Sequence, residues 1–297
     1  MAESHVAVFD RLVRQDVPKS TPALFETACV LGGSIAGLLA ACVLADHSRE
    51  VLVIEREEVI LTGQPRAGVP HDRQAHILMP GGLALMERRL PGITGEMRDA
   101  GAVLLAPDEM DTYIDGVEQL RTGDAQMLFC SRPFLESALR RRVLDLPNVS
   151  ADTARVTGFV YREGAVSAVR YVQDDTEDIL PVDFTVDAMG RSSKLSDWLE
   201  EEGFSRPHQQ RMQTGIHYST AVVERVGSDV DRRFTACQYP LFAGPGGLAA
   251  GLVVKVENDR WMVSLLVHGG EQASRVDRGI PRALRQASAG VQQGLRR

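Results

Sequence analysis

The sequence predicts an α/β fold: a parallel sheet carrying a β-meander, with a smaller antiparallel sheet beside it. Three observations predict it. A strand, glycine turn, helix and second strand follow one another from Thr27 to Arg56, three strand-like segments succeed each other between Arg155 and Val186, and four more lie between Gly215 and Val267. With 297 residues, 44% of them hydrophobic and 25% charged, the chain is long enough to bury the cores of two domains.

Residues 1–27 form an N-terminal extension in which Val6, Phe9 and Leu12 mark one or two amphipathic turns before the Pro18–Pro22 break. Ala28–Leu31 is a short apolar run suited to a buried parallel strand, Ile35–Ala45 is a helix, and Val51–Ile54 is the second strand. The segment LTGQPRAGVPHDRQAH, which holds Arg66, Arg73 and His76, lacks periodicity and reads as a functional surface loop. Leu83–Leu90 is helical in pattern, Val103–Leu105 and Met127–Cys130 are strands, and Ser131 with Pro133 caps a helix that runs through Val143. Arg155–Arg162, Val166–Val172 and Ile179–Val186 make the meander, which leads into Asp187-Ala188-Met189-Gly190-Arg191. Gly215–Val226, Phe234–Phe242, Leu248–Val256 and Trp261–Val267 then have strand composition, the last two joined by a turn at Glu257-Asn258-Asp259.

The chemistry is concentrated in Gly32-Gly33-Ser34-Ile35-Ala36-Gly37 and in Glu55. Gly32 permits a tight turn and Gly37 lets the helix pack closely on the sheet, so that the helix N-terminus directs N–H groups and its positive dipole end at a pyrophosphate. Glu55, at the carboxyl end of the second strand, is placed to accept ribose hydroxyls. Ser34 occupies the position of the second glycine of the G-x-G-x-x-G fingerprint, and its hydroxyl offers a proton to a phosphate oxygen. The pattern points to a dinucleotide cofactor. A membrane helix over Thr27–Ala45 is the competing reading, disfavoured by Gly32-Gly33-Ser34, by Glu26 and Asp46 at its borders, and by the strand that follows.

A net charge of −7, with no basic block interleaved with aromatics, argues against a nucleic-acid partner. Cys29, Cys42, Cys130 and Cys237 are widely spaced and read as buried thiols rather than metal ligands or disulfides, which predicts no metal site and a reducing, cytoplasmic location. The N-terminus carries charges where a secretory signal needs an apolar run.

Four blocks, GGSIAGLLAACVLAD with VLVIER, PRAGVPHDRQAHILMPGGLALMERRLPG, SRPFLESALRRRVLDLPNV and VDFTVDAMGRSSKLSDWLEEEGF, resemble FAD-dependent monooxygenases of the para-hydroxybenzoate hydroxylase type, most of all the squalene-epoxidase-like branch with the bacterial polyether epoxidases. The resemblance covers roughly residues 28–204 and weakens toward Gly270. It implies a Rossmann-like FAD-binding domain over 28–204 (a GR2-type parallel sheet with β-meander), with 106–126 as a candidate contribution to the substrate domain, a partial substrate domain over 205–270, and an atypical tail over 271–297. It implies that Gly32, Gly33, Ser34 and Gly37 cradle the FAD pyrophosphate, that Glu55 holds the adenosine ribose with Arg56 nearby, and that Arg132 reaches the cofactor from the helix after the third strand. Asp187 and Gly190 match a cofactor-binding D-A-T-G-R-like turn in which Met189 replaces threonine, and Arg73 and His76 fall in a flavin-facing loop.

The implied reaction is NAD(P)H-dependent reduction of FAD, formation of a flavin C4a-hydroperoxide with O2, and transfer of one oxygen atom to an apolar polyketide- or terpene-like substrate, with epoxidation needing no protein base and no catalytic residue assigned. NAD(P)H would visit transiently. A reductase or halogenase on the same scaffold is a second reading; the halogenase W-x-W-x-I-P signature is absent, Trp198 and Trp261 being far apart. The family's Gly-Asp turn has no counterpart after Gly270, the Gly123-Asp124 pair lying before the strand at Met127. The tail is either a broken basic amphipathic helix or sequence following a frame disruption or truncation, the second being favoured. Loss of two charged-group contacts would weaken FAD binding roughly 10²- to 10⁴-fold. A third reading therefore stands beside the enzyme: an incomplete, non-catalytic flavoprotein-like chain, or one paired with a partner that supplies the missing C-terminal half.

Overall fold

The computed structural model describes residues 4–15, 21–58, 63–69, 71–114, 117–120, 123, 125–210, 212, 214–224, 236–239 and 248–268. The chain divides into two units, one of residues 1–68, 85–93 and 135–210, the other of residues 69–84, 94–134 and 211–297. The second unit thus draws on much of the chain that precedes residue 135. Asp124 and the tail 271–297 lie outside the described residues.

In the first unit, α1 (His5–Arg14) starts at Ser4, whose hydroxyl accepts the Ala7 N–H, and forms a longer helix than the one or two turns expected. The βαβ unit follows as β1 (Phe25–Leu31), α2 (Ile35–Ala45) and β2 (Ser48–Glu55). β1 pairs in parallel with β2, bringing Val30 opposite Val53 and Leu31 opposite Ile54. Alternation then sorts the sheet faces. Val30 and Val53 turn toward α2, while Cys29, Leu31 and Ile54 pack against the meander residues Phe159, Val169 and Val182.

The next elements in chain order belong mainly to the second unit: β3 (Ala75–Leu78), α3 (Pro80–Arg89), α4 (Ile93–Asp99), β4 (Val103–Leu105), β5 (Asp111–Ile114), β6 (Val117–Glu118) and β7 (Met127–Ser131). α5 (Arg132–Leu144) begins as the sequence predicts, with the Ser131 hydroxyl accepting the Phe134 N–H. β8 (Val149–Thr153) then returns to the parallel sheet, followed by β9 (Arg155–Arg162), β10 (Ala165–Gln173), β11 (Thr176–Pro181), β12 (Phe184–Asp187) and α6 (Leu195–Glu201).

Two strand assignments are corrected. The third strand of the parallel sheet is not at Met127–Cys130: that segment, β7, pairs antiparallel with β3 and β4 in the second unit, and β8 takes the place beside β2. The sequence VSADT has no apolar run, so its strand character comes from pairing with Val51–Glu55 rather than from local pattern. The segment Ile179–Val186 is two strands. Val182 and Asp183 separate β11 from β12, and the Asp183 carboxylate accepts the Glu26 and Thr27 N–H groups at 2.8 and 3.0 Å, so β12 joins β1 rather than continuing the meander. The sheets of this unit are the parallel β12-β1-β2-β8 and the antiparallel β11-β10-β9.

In the second unit, β13 (Ile216–Glu224), β14 (Ala236–Tyr239), β15 (Leu248–Val256) and β16 (Arg260–His268) combine with β5 and β6 in the order β13-β16-β15-β14-β5-β6. The β15–β16 turn falls where expected, with Asn258 and Asp259 in the left-handed region. Its first residue, Glu257, is buried and accepts both the backbone N–H and the hydroxyl of Ser131, which ties the hairpin to the start of α5. Phe129, Val254, Val256 and Met262 form the core beneath.

Among the described residues, no helix is long and apolar enough to cross a membrane, and Cys29, Cys42 and Cys130 are free, buried thiols. Burial pushes the Cys29 thiol up to about 12. Burial raises the Cys42 thiol too, so Cys29 and Cys42 stay protonated at neutral pH.

Candidate functional site

The site is built where β1, β2 and β12 end on the same side of the parallel sheet. Gly32 follows β1 with φ +103°, and its N–H donates to the Ile54 carbonyl at 2.8 Å. A Cβ there would stand 2.7 Å from the Ala188 carbonyl oxygen, so glycine is required both by the backbone conformation and by the approach of the turn after β12. Five residues on, a Cβ at Gly37 would stand 1.8 Å from the Gly32 carbonyl oxygen. The first turn of α2 therefore lies directly against the glycine turn. Ser34 is the N-cap of α2 but its side chain caps no N–H, which leaves the first-turn amides to a ligand or solvent.

Glu55 ends β2 with only 8% of its surface exposed. Its carboxylate accepts the Gly33 N–H at 2.8 Å and the Glu57 N–H at 3.3 Å, and it pairs with Arg66 at 3.2 Å. Burial alone pushes this carboxyl up; the Gly33 amide, the Arg66 guanidinium and the Glu57 amide outweigh burial and hold it below the usual carboxylate range. Because the folded value lies below the unfolded one, Glu55 contributes stability that is fully present above about pH 4.5 and is lost as pH falls through the folded value. Glu55→Gln should accordingly flatten the acid side of the stability profile. The check is a urea midpoint read against pH from Trp198, the tryptophan of the first unit, in a Trp261→Phe background; an unchanged acid limb would remove Glu55 from this role.

Three residues that sequence reading did not assign to the site complete it. Arg66 is not a surface-loop residue: its side chain is 6% exposed and bridges Glu55, Glu57 at 3.6 Å and Glu136 at 2.7 Å. Glu136 and Arg140, one turn apart on α5, pair at 2.6 Å, and Arg140 donates to the Gly33 carbonyl at 2.8 Å. Their i,i+4 spacing was visible as a helix-surface ion pair, but nothing local shows that this face is buried. The Ser34 hydroxyl, expected to offer its proton to a phosphate oxygen, here donates to Glu136 at 2.7 Å.

On the neighbouring strand end, the Asp187 carboxylate accepts the Met189 N–H at 2.9 Å and the Ser193 hydroxyl, and Gly190 adopts φ +60°. Met189, in place of a hydroxyl residue, packs into the cluster around Phe159 and Trp198. Arg56 is exposed, its guanidinium lying over Gly68. Gly32, Gly33, Ser34, Gly37, Glu55, Asp187 and Gly190 are thus gathered at one end of one sheet.

Arg132, His76 and Arg73 belong to the second unit. Arg132 pairs at 3.2 Å with Asp72, which is 3% exposed. Nδ1 of His76 donates to the Gln74 carbonyl at 2.8 Å. Burial pushes the His76 imidazole down, and Arg132 adds to that, so the ring is neutral at pH 7 with Nε2 as its basic nitrogen. Arg73 is exposed.

The arrangement fits an adenine dinucleotide on three structural grounds: a glycine turn with no room for side chains, a helix N-terminus uncapped by its own side chain, and a buried carboxylate at the adjoining strand end. A family model described as an NAD(P)-binding Rossmann-like domain matches residues 30–88. Protein Rv3254 of Mycobacterium tuberculosis is 35% identical over 209 residues, spanning 66% of this chain and 44% of that protein. Squalene monooxygenase SE1 of Panax ginseng is 31% identical over 155 residues, 50% of this chain and 27% of its own length. The chain thus spans less than half the length of these relatives. Among solved structures, PqsL from Pseudomonas aeruginosa, described as a probable FAD-dependent monooxygenase, superposes with TM-score 0.60 at 16% identity over 84% of this chain and 61% of its own. At that identity the likeness speaks for the fold: a Rossmann-like parallel sheet with accompanying antiparallel sheets.

Proposed function

We propose that the chain binds FAD at the Gly32–Glu55 cradle and serves as the cofactor-binding part of a flavin-dependent monooxygenase that places one oxygen atom from O2 on an apolar, polyketide- or terpene-like substrate, with NAD(P)H as transient reductant. The observation that carries this reading is the joint placement of the Gly32–Gly37 turn, Glu55 and the Asp187–Gly190 turn at one sheet end. The resemblance of four sequence blocks to the para-hydroxybenzoate hydroxylase type and the likeness to squalene monooxygenase SE1 support the choice of FAD and of oxygen transfer.

In this reading Gly32, Gly33 and the first turn of α2 hold the pyrophosphate, and Glu55 accepts the ribose hydroxyls. Bound flavin would supply the redox and oxygen chemistry. The protein's own part is binding, orientation and exclusion of water. The resemblance also implies flavin-directed roles for Arg132 and His76; within its own unit, neutral His76 has Nε2 available to hold or accept a proton.

A visible absorption spectrum of the purified chain, taken after FAD addition and removal of unbound cofactor, tests the proposal. About one equivalent of retained flavin is expected. Glu55→Ala should weaken FAD binding by roughly 10- to 100-fold, the equivalent of about 1.5–3 kcal/mol for a hydrogen bond to a charged group. A folded, colourless protein would instead favour the second reading: an incomplete flavoprotein-like chain, or one that needs a partner supplying a further half.

A further inference from the structure

The polar groups around Gly33 form a closed ring. The Gly33 N–H donates to Glu55, Glu55 pairs with Arg66, Arg66 with Glu136, Glu136 with Arg140, and Arg140 donates back to the Gly33 carbonyl. Both polar atoms of one glycine are therefore held by a single circuit. Glu136 joins the two arginines and reaches the helix cap as well: Oε1 meets Arg66 and Arg140, and Oε2 accepts the Ser34 hydroxyl. It enters from α5, more than a hundred residues along the chain from the turn it grips.

We propose that Glu136 is the positioning residue of the cradle, setting the orientation of the Gly33–Ser34 backbone on which dinucleotide affinity depends. Glycine has the widest backbone freedom of any residue, and Gly33 has no side chain with which to fix itself. Its orientation must come from its peptide groups. Pinning N–H and C=O together removes that freedom before a ligand arrives, which is how preorganisation raises affinity. For its effect on binding, the inference rests on the FAD reading above; its effect on the backbone does not.

Charge and positioning predict opposite signs. Two arginines face Glu55, Glu57 and Glu136, so the cluster carries a net negative charge. If Glu136 acted only as a charge, neutralising it would make the site more welcoming to phosphate. If it acts by holding Gly33, neutralising it weakens binding.

The experiment compares wild type, Glu136→Gln and Glu136→Asp by amide hydrogen exchange without added nucleotide, and by titration with ADP. For Glu136→Gln we expect exchange at Gly33 at least tenfold faster, unchanged exchange at Val30 and Val53, and ADP affinity at least tenfold lower. Glu136→Asp, which keeps the charge on a shorter arm, should fall between and also serves if Glu136→Gln does not fold. Unchanged Gly33 exchange in a folded variant, or equal or tighter ADP binding, overturns the proposal. A wild type that binds neither ADP nor FAD overturns the FAD reading instead, while the exchange comparison still decides whether Glu136 positions the turn.

Discussion

Gly37→Ala is expected to abolish the fold of the first unit or to destabilise it by about 3 kcal/mol or more, the upper range for forced overpacking. The reason is geometric. The added methyl would stand 1.8 Å from the Gly32 carbonyl oxygen and 3.3 Å from Val30, and the first of these is backbone that cannot rotate away. Relief requires α2 to lift from the sheet, which opens the packing of Leu38 and Ala41 and moves the glycine turn itself. A built-in control exists in α4, where a Cβ at Gly95 meets nothing within 4 Å. Gly95→Ala should be neutral or stabilise by about 0.4–1 kcal/mol, because alanine narrows the unfolded ensemble and suits a helix. Urea unfolding of both variants, followed by Trp198 and Trp261 separately, checks the pair; a Gly37→Ala midpoint equal to wild type would refute the close approach of helix and turn.

The second large effect is expected from Arg66→Met, a loss of about 3–5 kcal/mol, as when one member of a buried ion cluster is removed. Methionine fills similar volume, so the cost arises from charge. Glu55, Glu57 and Glu136 would be left with Arg140, which contacts only the last of them in the ion pairs described. The pH dependence gives the signature. In wild type, stability falls as acid protonates Glu55. In the variant an unpaired buried carboxyl has its proton affinity raised above the unfolded value, so the folded state binds more protons and stability should rise as pH drops from about 7 toward 5. A variant that loses stability in parallel with wild type on acidification would show that Arg66 does not compensate these acids.

The βαβ unit was legible because its information is local. An apolar strand, a glycine turn, an uncharged helix and a strand ending in Glu55 are read from adjacent residues, and each element depends on its own period or on a single steric requirement. The Ser131 cap was legible for the same reason. Information carried by pairing was not. β8 has no apolar pattern, and β7, which has one, serves a different sheet. Ser34 was identified correctly as the departure from the glycine pattern, yet the destination of its proton depends on Glu136, which lies 102 residues away. Arg66 looked like a loop arginine because its three acidic partners come from β2, the segment after it, and α5. Conformational demands on single residues survive in sequence; the identity of a distant partner does not.

The break at Val182–Asp183 has a consequence for assembly on the ribosome. β1 is flanked by β2, which follows within a few dozen residues, and by β12, whose neighbouring clamp joins Thr27 to Asp183 across 156 residues. At a synthesis rate of about 5–20 residues per second, one edge of β1 remains without its strand for roughly 7–26 s after the other is made. During that interval Ala28, Cys29, Val30 and Leu31, all fully buried in the finished protein, border an unpaired edge. The segment that completes the cofactor turn is also the one that closes this edge, so a nascent chain is most exposed to chaperones, and to mispairing with its neighbours, until Asp187 has emerged.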